Sequence, residues 1–174
     1  MTSLEQALSE IPAFALVHDR LFSSAQPSIE QLQQIKEYGC NTIINLATSK
    51  SENYLTQQDQ ICLDLGLNYI HIPISWEIPS TEQCLFILDL IDHLVQNQIV
   101  WIHCDKNMRV SSLIYLYRQF YMGMDLAAAQ EQLHQIWEPN ATWTGLMHSV
   151  TLQLQGRKAT QELQQSLSHD AHTP

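Results

Sequence analysis

The chain has 174 residues, 45% of them apolar, which suits one ordinary domain with a buried core and excludes a wholly disordered chain. Its 18 acidic residues outnumber the 8 basic ones, so the formal net charge is −10. Such a surface repels nucleic acid and anionic lipid, which argues against both as partners. An anionic substrate is still compatible with it, because the field inside a pocket can oppose the field of the whole surface.

Targeting and metal-binding signals are missing from the sequence. No basic N-terminal region precedes an apolar run, and no apolar stretch is long enough to span a membrane. The cysteines form no CxxC pair, and His71, His93 and His134 do not pair with one another at metal-ligand spacing, which argues against a zinc site or a redox dithiol. We therefore expect a cytoplasmic protein with reduced thiols. The four cysteines are Cys40, Cys62, Cys84 and Cys104.

Helix and strand signals alternate along the first half of the chain. Ser28 begins a helix, because Ser28 and Gln31 have the spacing of a capping box, and Gly39 ends that helix. Gly66 ends another helix in the same way. The β-branched run TIINL predicts a buried strand. The expected elements are a helix at 3–10, strands at 14–16 and 21–22, a helix from Ser28 to Gly39, a strand at 42–46, a helix at 57–65 and a strand at 69–74.

The second half contains one more strand and then helices alone. Ser80, Asp125 and Asn140 are expected to cap three of these helices. Beyond Gly156 the chain has few large apolar residues, so we expect a folded domain over 1–155 and a polar tail over 156–174, either a frayed helix or disordered. The expected elements are a helix after Ser80, a strand at 99–103, and helices at 110–121, from Asp125 to near Trp137, and at 141–154.

This alternation is typical of an α/β protein with a central, mostly parallel sheet. Helices would cover both faces of the sheet, which gives a three-layer α/β/α arrangement. In such sheets, ligands bind at the carboxyl ends of the strands. The segment 104–109 directly follows the strand at 99–103, so it is expected at that edge.

The segment from Cys104 to Arg109 has the ingredients of an anion site. A strand, a tight loop and a helix N-terminus direct free N–H groups and the helix dipole toward the loop. Arg109 adds a positive charge and a planar fork that can bind two oxygens. Both effects favour the thiolate, so we expect a pKa for Cys104 below the ~8.5 of a free thiol. Such a thiolate can attack phosphorus while the loop holds the phosphoryl oxygens.

The unit His103–Cys104–loop–Arg109 resembles the signature of the protein tyrosine and dual-specificity phosphatases. That signature reads His-Cys, five residues, Arg, and then Ser or Thr. Here four residues separate Cys104 from Arg109, and Val110 precedes Ser111. The sequence is similar to a bacterial subgroup of the superfamily that reads His-Cys-x-x-Asn-x-Arg-Val-Ser. The likeness covers roughly residues 18–147 and includes SSAQPS at 23–28, GCNTIINL at 39–46, YIHIPISWEIPS at 69–80 and IWEPN at 136–140.

The resemblance implies roles for the other residues of the loop. Asn107 tolerates a left-handed backbone, which would turn N–H groups inward. Asp105 is expected to point outward, because a carboxylate in the site would repel phosphate. Ser111, or Ser112 beside it, would donate a hydrogen bond to the cysteine sulfur, and His103 would hold the loop through backbone carbonyls. The predicted phosphate-binding residues are Asp105, Lys106, Asn107, Met108 and Arg109.

A phosphatase of this kind also needs a general acid to protonate the leaving oxygen. In the family, an aspartate on a neighbouring loop has this role, and the matching loop here is Ser75–Pro79. Glu77 is the only carboxylate in that loop, so we assign it the role. Glu138 is the second candidate and Asp105 the third.

The sequence therefore predicts a phosphomonoester hydrolase that acts through a phosphocysteine intermediate and needs no metal or organic cofactor. Phosphorylated proteins and small phosphoesters are the expected substrates. Two alternatives remain: an inactive module that binds phosphate or phosphopeptides through the same loop, and a sulfur or arsenic transferase. Oligomeric state cannot be read from the sequence.

Overall fold

Residues 2–171, which the computed structural model describes, form five strands and seven helices. The strands are β1 (Ala15–His18), β2 (Leu21–Ser24), β3 (Thr42–Asn45), β4 (Asn68–His71) and β5 (Val100–His103). The helices are α1 (Ser3–Ser9), α2 (Ile29–Tyr38), α3 (Gln58–Leu65), α4 (Thr81–Leu94), α5 (Met108–Phe120), α6 (Leu126–His134) and α7 (Ala141–Asp170). The strands form one sheet in the order β1-β2-β5-β3-β4, in which only the β1–β2 pair is antiparallel.

Successive residues of the central strands face opposite layers of the molecule. Ile44 and Ile102 belong to a core shared with α4, α5 and α7, whereas Ile43 and Trp101 pack with residues of α1, α2 and α3. Burial on both faces explains why these strands read as continuous apolar runs. The three-layer α/β/α fold and the mostly parallel sheet are confirmed.

Most helix boundaries lie where the capping signals predicted them. Ser28 and Gln31 form a reciprocal capping box at the start of α2. Gly39 and Gly66 end α2 and α3 in left-handed conformations, with φ of 110° and 70°. Left-handed backbone is readily accessible to glycine, which has no Cβ, so a glycine directly after a helical run is an informative stop signal.

The strand predicted over 69–74 is shorter in the structure, because β4 ends at His71. The chain beyond it still follows β3, since the N–H groups of Ile72 and Ile74 donate to the carbonyls of Asn45 and Leu46. Pro73 has no N–H to donate and interrupts the regular ladder. This irregular segment leads directly into the loop that carries Trp76 and Glu77.

The last helix is longer than predicted, because α7 continues from Leu154 to Asp170. Residues 155–170 are exposed along their whole length, and Arg157 donates to both carboxylate oxygens of Asp89 on α4. The boundary between a domain at 1–155 and a tail at 156–174 stays a prediction, and positions 172–174 lie outside the described residues. Within 2–171, no helix combines the length and apolar character needed to cross a membrane.

Candidate active site

The segment Cys104–Arg109 joins the central strand β5 to the N-terminus of α5. Its residues Cys104 and Arg109 line one cavity of about 320 Å³, which we call the Cys104 cavity. The nucleophile and the cation that the sequence predicted are therefore brought together at the carboxyl edge of the sheet. The other residues that line the Cys104 cavity are Ser51, Trp76, Asp105, Lys106 and Met108.

Asn107 gives the loop its shape. Its backbone is left-handed, with φ of 63°, as predicted. Its side chain is fully buried and donates to the carbonyl of Ala13 at 2.7 Å and to Oγ of Ser23 at 3.3 Å. Because the side chain is held by the β1–β2 region, any contact of Asn107 with phosphate would come from its backbone.

Cys104 is only 1% exposed, and this burial raises the pKa of its thiol above the ordinary value. The N–H of Val110, the charge of Arg109 and the N–H groups of Arg109 and Lys106 act in the opposite direction. The expectation of a lowered pKa is therefore wrong, because it counted the donors and the charge but not the loss of water around the sulfur. These backbone N–H groups and the Arg109 charge are nevertheless directed at the sulfur, as the sequence predicted.

Arg109 is buried and incompletely paired. The residue is 8% exposed, and neither Nε nor Nη1 has a hydrogen-bond partner. Its Cζ lies 5.8 Å from the ring centroid of Trp76, a distance at which a cation is attracted to an aromatic face. Buried guanidinium groups are normally paired, so a cavity with unpaired guanidinium nitrogens has hydrogen-bond donors available for an anion.

Two contacts join the segment Cys104–Arg109, which we call the signature loop, to the loop between β3 and α3. Oδ1 of Asp105 accepts the N–H of Asn53 at 2.9 Å, and Nζ of Lys106 lies 3.3 Å from Oε2 of Glu52. The Asp105 carboxylate thus has a donor outside the signature loop, although the residue still lines the Cys104 cavity. Lys106 is exposed at the rim and shares its charge with Glu52.

The hydroxyl groups after Arg109 are committed to the helix backbone. Ser111 and Ser112 both donate to the carbonyl of Met108, at 3.1 and 2.9 Å. This differs from the expected donation to the cysteine sulfur. The reason is local, because a serine inside a helix readily bonds to the carbonyl three or four residues before it.

His103 holds the start of the loop through a buried hydrogen-bond chain. Its Nδ1 lies 3.3 Å from the carbonyl oxygen of Cys104, and its Nε2 lies 2.8 Å from Nε2 of Gln58. Gln58 in turn accepts from Nε2 of Gln26. Burial lowers the pKa of His103 to about 4, so the ring is neutral at pH 7. No sequence signal pointed to Gln58, which lies in a run of polar residues on α3.

We predict that His103 makes the protein less stable as the pH falls from about 6.5 to about 4. Below pH 6.5 the unfolded chain gains a proton that the native ring, with a pKa of about 4, does not take up. Stability is therefore fully present above the unfolded pKa and is lost across this window, by about 3 kcal/mol for a shift of this size. Urea unfolding of the wild type and of His103→Gln between pH 7 and 4 measures the effect.

The control for this experiment is His93→Gln, because His93 is exposed at the end of α4. We expect this variant to keep the pH dependence of the wild type. An equally steep loss of stability in His103→Gln would show that another group causes it.

Glu77 lies beside the Cys104 cavity. It is exposed and lines a neighbouring cavity of about 610 Å³, the Glu77 cavity, to which Ser51, Trp76 and Arg109 also belong. Glu138, the second candidate acid, is exposed and lines neither cavity. The structure thus brings Glu77, but not Glu138, to the wall that carries Arg109.

Trp76 forms the wall between the two cavities and is anchored to the core. Its ring lies 5.4 Å from that of Trp137 and 5.6 Å from that of Trp143. The indole N–H of Trp143 donates to the carbonyl of Trp76 at 3.1 Å. The aromatic cluster therefore fixes the loop that carries Glu77. Among residues 2–171, no group of three or more His, Cys, Asp or Glu side chains is arranged to hold a metal ion.

A three-layer fold with a cysteine and an arginine on the wall of one cavity, after the central strand, is the arrangement of dual-specificity and tyrosine phosphatase-like proteins. Residues 20–114, more than half of the chain, match the family described as Tc-R-P: Polymorphic toxin system, DSP-PTPase phosphatase. The chain belongs to this phosphatase family. The resemblance found in the sequence is confirmed, whereas its assignment to a short-loop bacterial subgroup stays a prediction.

Solved structures share the fold. A putative phosphatase (DUF442) from Shewanella putrefaciens CN-32 is 23% identical with a TM-score of 0.76, and the match covers 86% of this chain and 97% of that one. Tk-PTP in its active form is 19% identical with a TM-score of 0.67, covering 80% and 96%. The core catalytic domain of the PP-IP phosphatase SIW14 from S. cerevisiae is 16% identical with a TM-score of 0.68, covering 87% and 94%. No curated protein matches the chain.

Proposed function

We propose that this phosphatase hydrolyses phosphomonoesters through a phosphocysteine intermediate on Cys104. The observation that carries the proposal is the buried Arg109 guanidinium, unpaired at Nε and Nη1, on the wall of the cavity that Cys104 lines. A guanidinium with unpaired nitrogens beside a nucleophile favours an oxyanion substrate. The donors directed at the sulfur, from Lys106, Arg109 and Val110, support the same conclusion.

The proposed reaction has two steps. In the first, the Cys104 thiol gives its proton to solvent, Sγ then forms a bond to phosphorus while the ester P–O bond breaks, and Glu77 gives its proton to the leaving oxygen. In the second, Glu77 takes a proton from water as the water oxygen bonds to phosphorus. The P–S bond then breaks, which releases inorganic phosphate and restores the thiolate. Arg109 and the loop N–H groups stabilise the charge on the phosphoryl oxygens in both steps.

The proposed substrates are phosphorylated proteins or small phosphoesters. The net charge of −10 and the carboxylates of Glu52, Glu77 and Asp105 around the site disfavour substrates with many phosphates. A cytoplasmic location is part of the proposal. It is supported by the free and buried state of all four cysteines, which suits a reducing compartment.

Purified protein tests the proposal with two measurements. We expect phosphate release from p-nitrophenyl phosphate between pH 5 and 8, and competitive inhibition by tungstate. Tight tungstate binding without turnover would instead identify an inactive phosphate-binding module. Absence of both would refute the assignment of Cys104–Arg109 as an oxyanion site.

We predict that Glu77→Gln slows hydrolysis mainly for substrates with poor leaving groups. An alkoxide must be protonated as it leaves, so loss of the acid should lower kcat for an alkyl phosphate by about 10²-fold. p-Nitrophenolate leaves without a proton, so the loss on p-nitrophenyl phosphate should be less than tenfold. Steady-state kinetics with both substrates measures this difference.

Glu138→Gln is the matched control, because Glu138 is an exposed carboxylate that lines neither cavity. We expect it to have wild-type kcat on both substrates. If Glu138→Gln shows the leaving-group dependence and Glu77→Gln does not, the two assignments must be exchanged.

A further inference from the structure

A buried hydroxyl at the active-site wall has no role in the mechanism described so far. Ser51 lies in the loop between β3 and α3 and lines both the Cys104 cavity and the Glu77 cavity. Its Oγ is buried and has no hydrogen-bond partner. Its own N–H is used within the loop, where it donates to the carbonyl of Thr48 at 3.0 Å.

The position of this hydroxyl is held by its neighbours in the chain. Glu52 and Asn53, the two residues after Ser51, contact Lys106 and Asp105 through the ion pair and the hydrogen bond described above. These contacts, made by two consecutive residues, join the loop between β3 and α3 to the segment Cys104–Arg109. The separation of Ser51 from the loop that carries the nucleophile is therefore constrained.

Two kinds of unpaired polar group thus occur on one cavity wall, the Ser51 hydroxyl and the Arg109 guanidinium. A buried hydroxyl without a partner costs free energy, and such groups in native proteins are normally paired. A hydroxyl can donate to an anionic oxygen, and hydrogen bonds to charged groups are stronger than neutral ones. An oxyanion in the Cys104 cavity would satisfy both groups together.

We propose that Ser51 is a phosphate-binding residue whose hydroxyl donates to a non-bridging phosphoryl oxygen of the substrate. This inference rests on the proposed function and extends it to a residue outside the signature loop. Only four residues separate Cys104 from Arg109, one fewer than in the phosphatase signature that the loop resembles, so the loop has one backbone N–H fewer. Ser51 supplies a donor from the adjacent loop in its place.

The test compares Ser51→Ala with Ser49→Ala, measuring the inhibition constant of inorganic phosphate, kcat/KM for p-nitrophenyl phosphate, and thermal unfolding with and without phosphate. Ser49 is the control, because it is exposed and lines the Glu77 cavity but not the Cys104 cavity. We expect Ser51→Ala to bind phosphate about tenfold more weakly and to lose at least as much in kcat/KM, as for loss of a hydrogen bond to a charged group. Ser49→Ala should match the wild type.

Thermal unfolding separates a binding role from a structural one. Without phosphate, Ser51→Ala should unfold at the wild-type temperature or above it, because the hydroxyl has no partner to lose. With phosphate, the variant should gain less stability than the wild type. A lower unfolding temperature without phosphate, together with an unchanged inhibition constant, would overturn the assignment.

The outcome for the wild type distinguishes this inference from the proposed function. If the wild type hydrolyses p-nitrophenyl phosphate and Ser51→Ala equals it in every measurement, only the role of Ser51 is wrong. If the wild type neither binds phosphate nor hydrolyses the ester, the proposed function fails and the role of Ser51 fails with it.

Discussion

Replacing Cys104 by serine should lower phosphate release by about 10⁴-fold or more, as for loss of a nucleophile in other covalent enzymes. A serine hydroxyl is far less ionised than a thiol. No histidine lines the Cys104 cavity, and its one carboxylate, Asp105, already accepts from the N–H of Asn53. Binding should survive, because Arg109 and the loop N–H groups are unchanged. Tungstate should therefore inhibit the wild type and bind Cys104→Ser with similar affinity.

Cys84→Ala is the control for Cys104→Ser, because Cys84 is a buried thiol of α4 that belongs to the core and not to the Cys104 cavity. It should keep turnover near the wild-type value. Mass spectrometry of acid-quenched wild type provides a second check, since one phosphoryl group should be found on Cys104 during turnover. Equal rates for Cys104→Ser and the wild type would exclude Cys104 as the nucleophile and with it the phosphocysteine intermediate.

Replacing Arg109 by lysine or methionine should lower kcat/KM by about 10²- to 10³-fold, the loss typical of one group that stabilises transition-state charge. Lysine keeps the charge but not the planar fork, so it should recover only part of the loss. Methionine should also raise the pKa of Cys104, because the Arg109 charge acts to lower it. Alkylation of Cys104 by iodoacetamide at pH 7 should consequently be slower in Arg109→Met than in the wild type.

Replacing Arg109 by methionine should leave the thermal stability of the protein unchanged or raise it, although it lowers activity. A buried guanidinium with unpaired Nε and Nη1 destabilises the fold, so Arg109→Met should unfold at the wild-type temperature or above it. Arg157→Lys is the control, because Arg157 pairs with Asp89 at the surface and lines neither cavity. A wild-type kcat/KM in Arg109→Lys would show that the fork is not needed.

The parts of the site that follow one another in the chain could be predicted from the sequence. Cys104 and Arg109 lie in one loop, and a strand before that loop and a helix after it impose an anion-binding geometry by backbone physics alone. The left-handed backbone at Asn107 follows from its residue type, and the end of α2 follows from Gly39 in the same way. Local signals were sufficient here because each depends on neighbours within a few residues.

The direction of the Cys104 pKa required the tertiary structure. The charge of Arg109 and the loop donors can be inferred from the sequence, but the extent of burial depends on how β2 and β3 pack on either side of β5. The hydrogen-bond partner of Ser111 also required the tertiary structure. The sequence suggested the sulfur of Cys104 as the acceptor of its hydroxyl, whereas in the structure the hydroxyl donates to the carbonyl of Met108.

The sequence by itself determined the α/β class, the caps of the main helices and the pairing of Cys104 with Arg109, since these depend on residue type and short spacing. Only the tertiary structure decided that Ser51, Gln58 and Trp76 surround the same loop. All three lie far from Cys104 in the chain. Ser51 and Gln58 have no motif of their own, whereas Trp76 lies in the segment 69–80 that resembles the family. The sheet order places the loops after β3 and β4 on one side of β5. This packing of segments distant in the chain buries the polar groups of the site, and so it decides which of them are left unpaired.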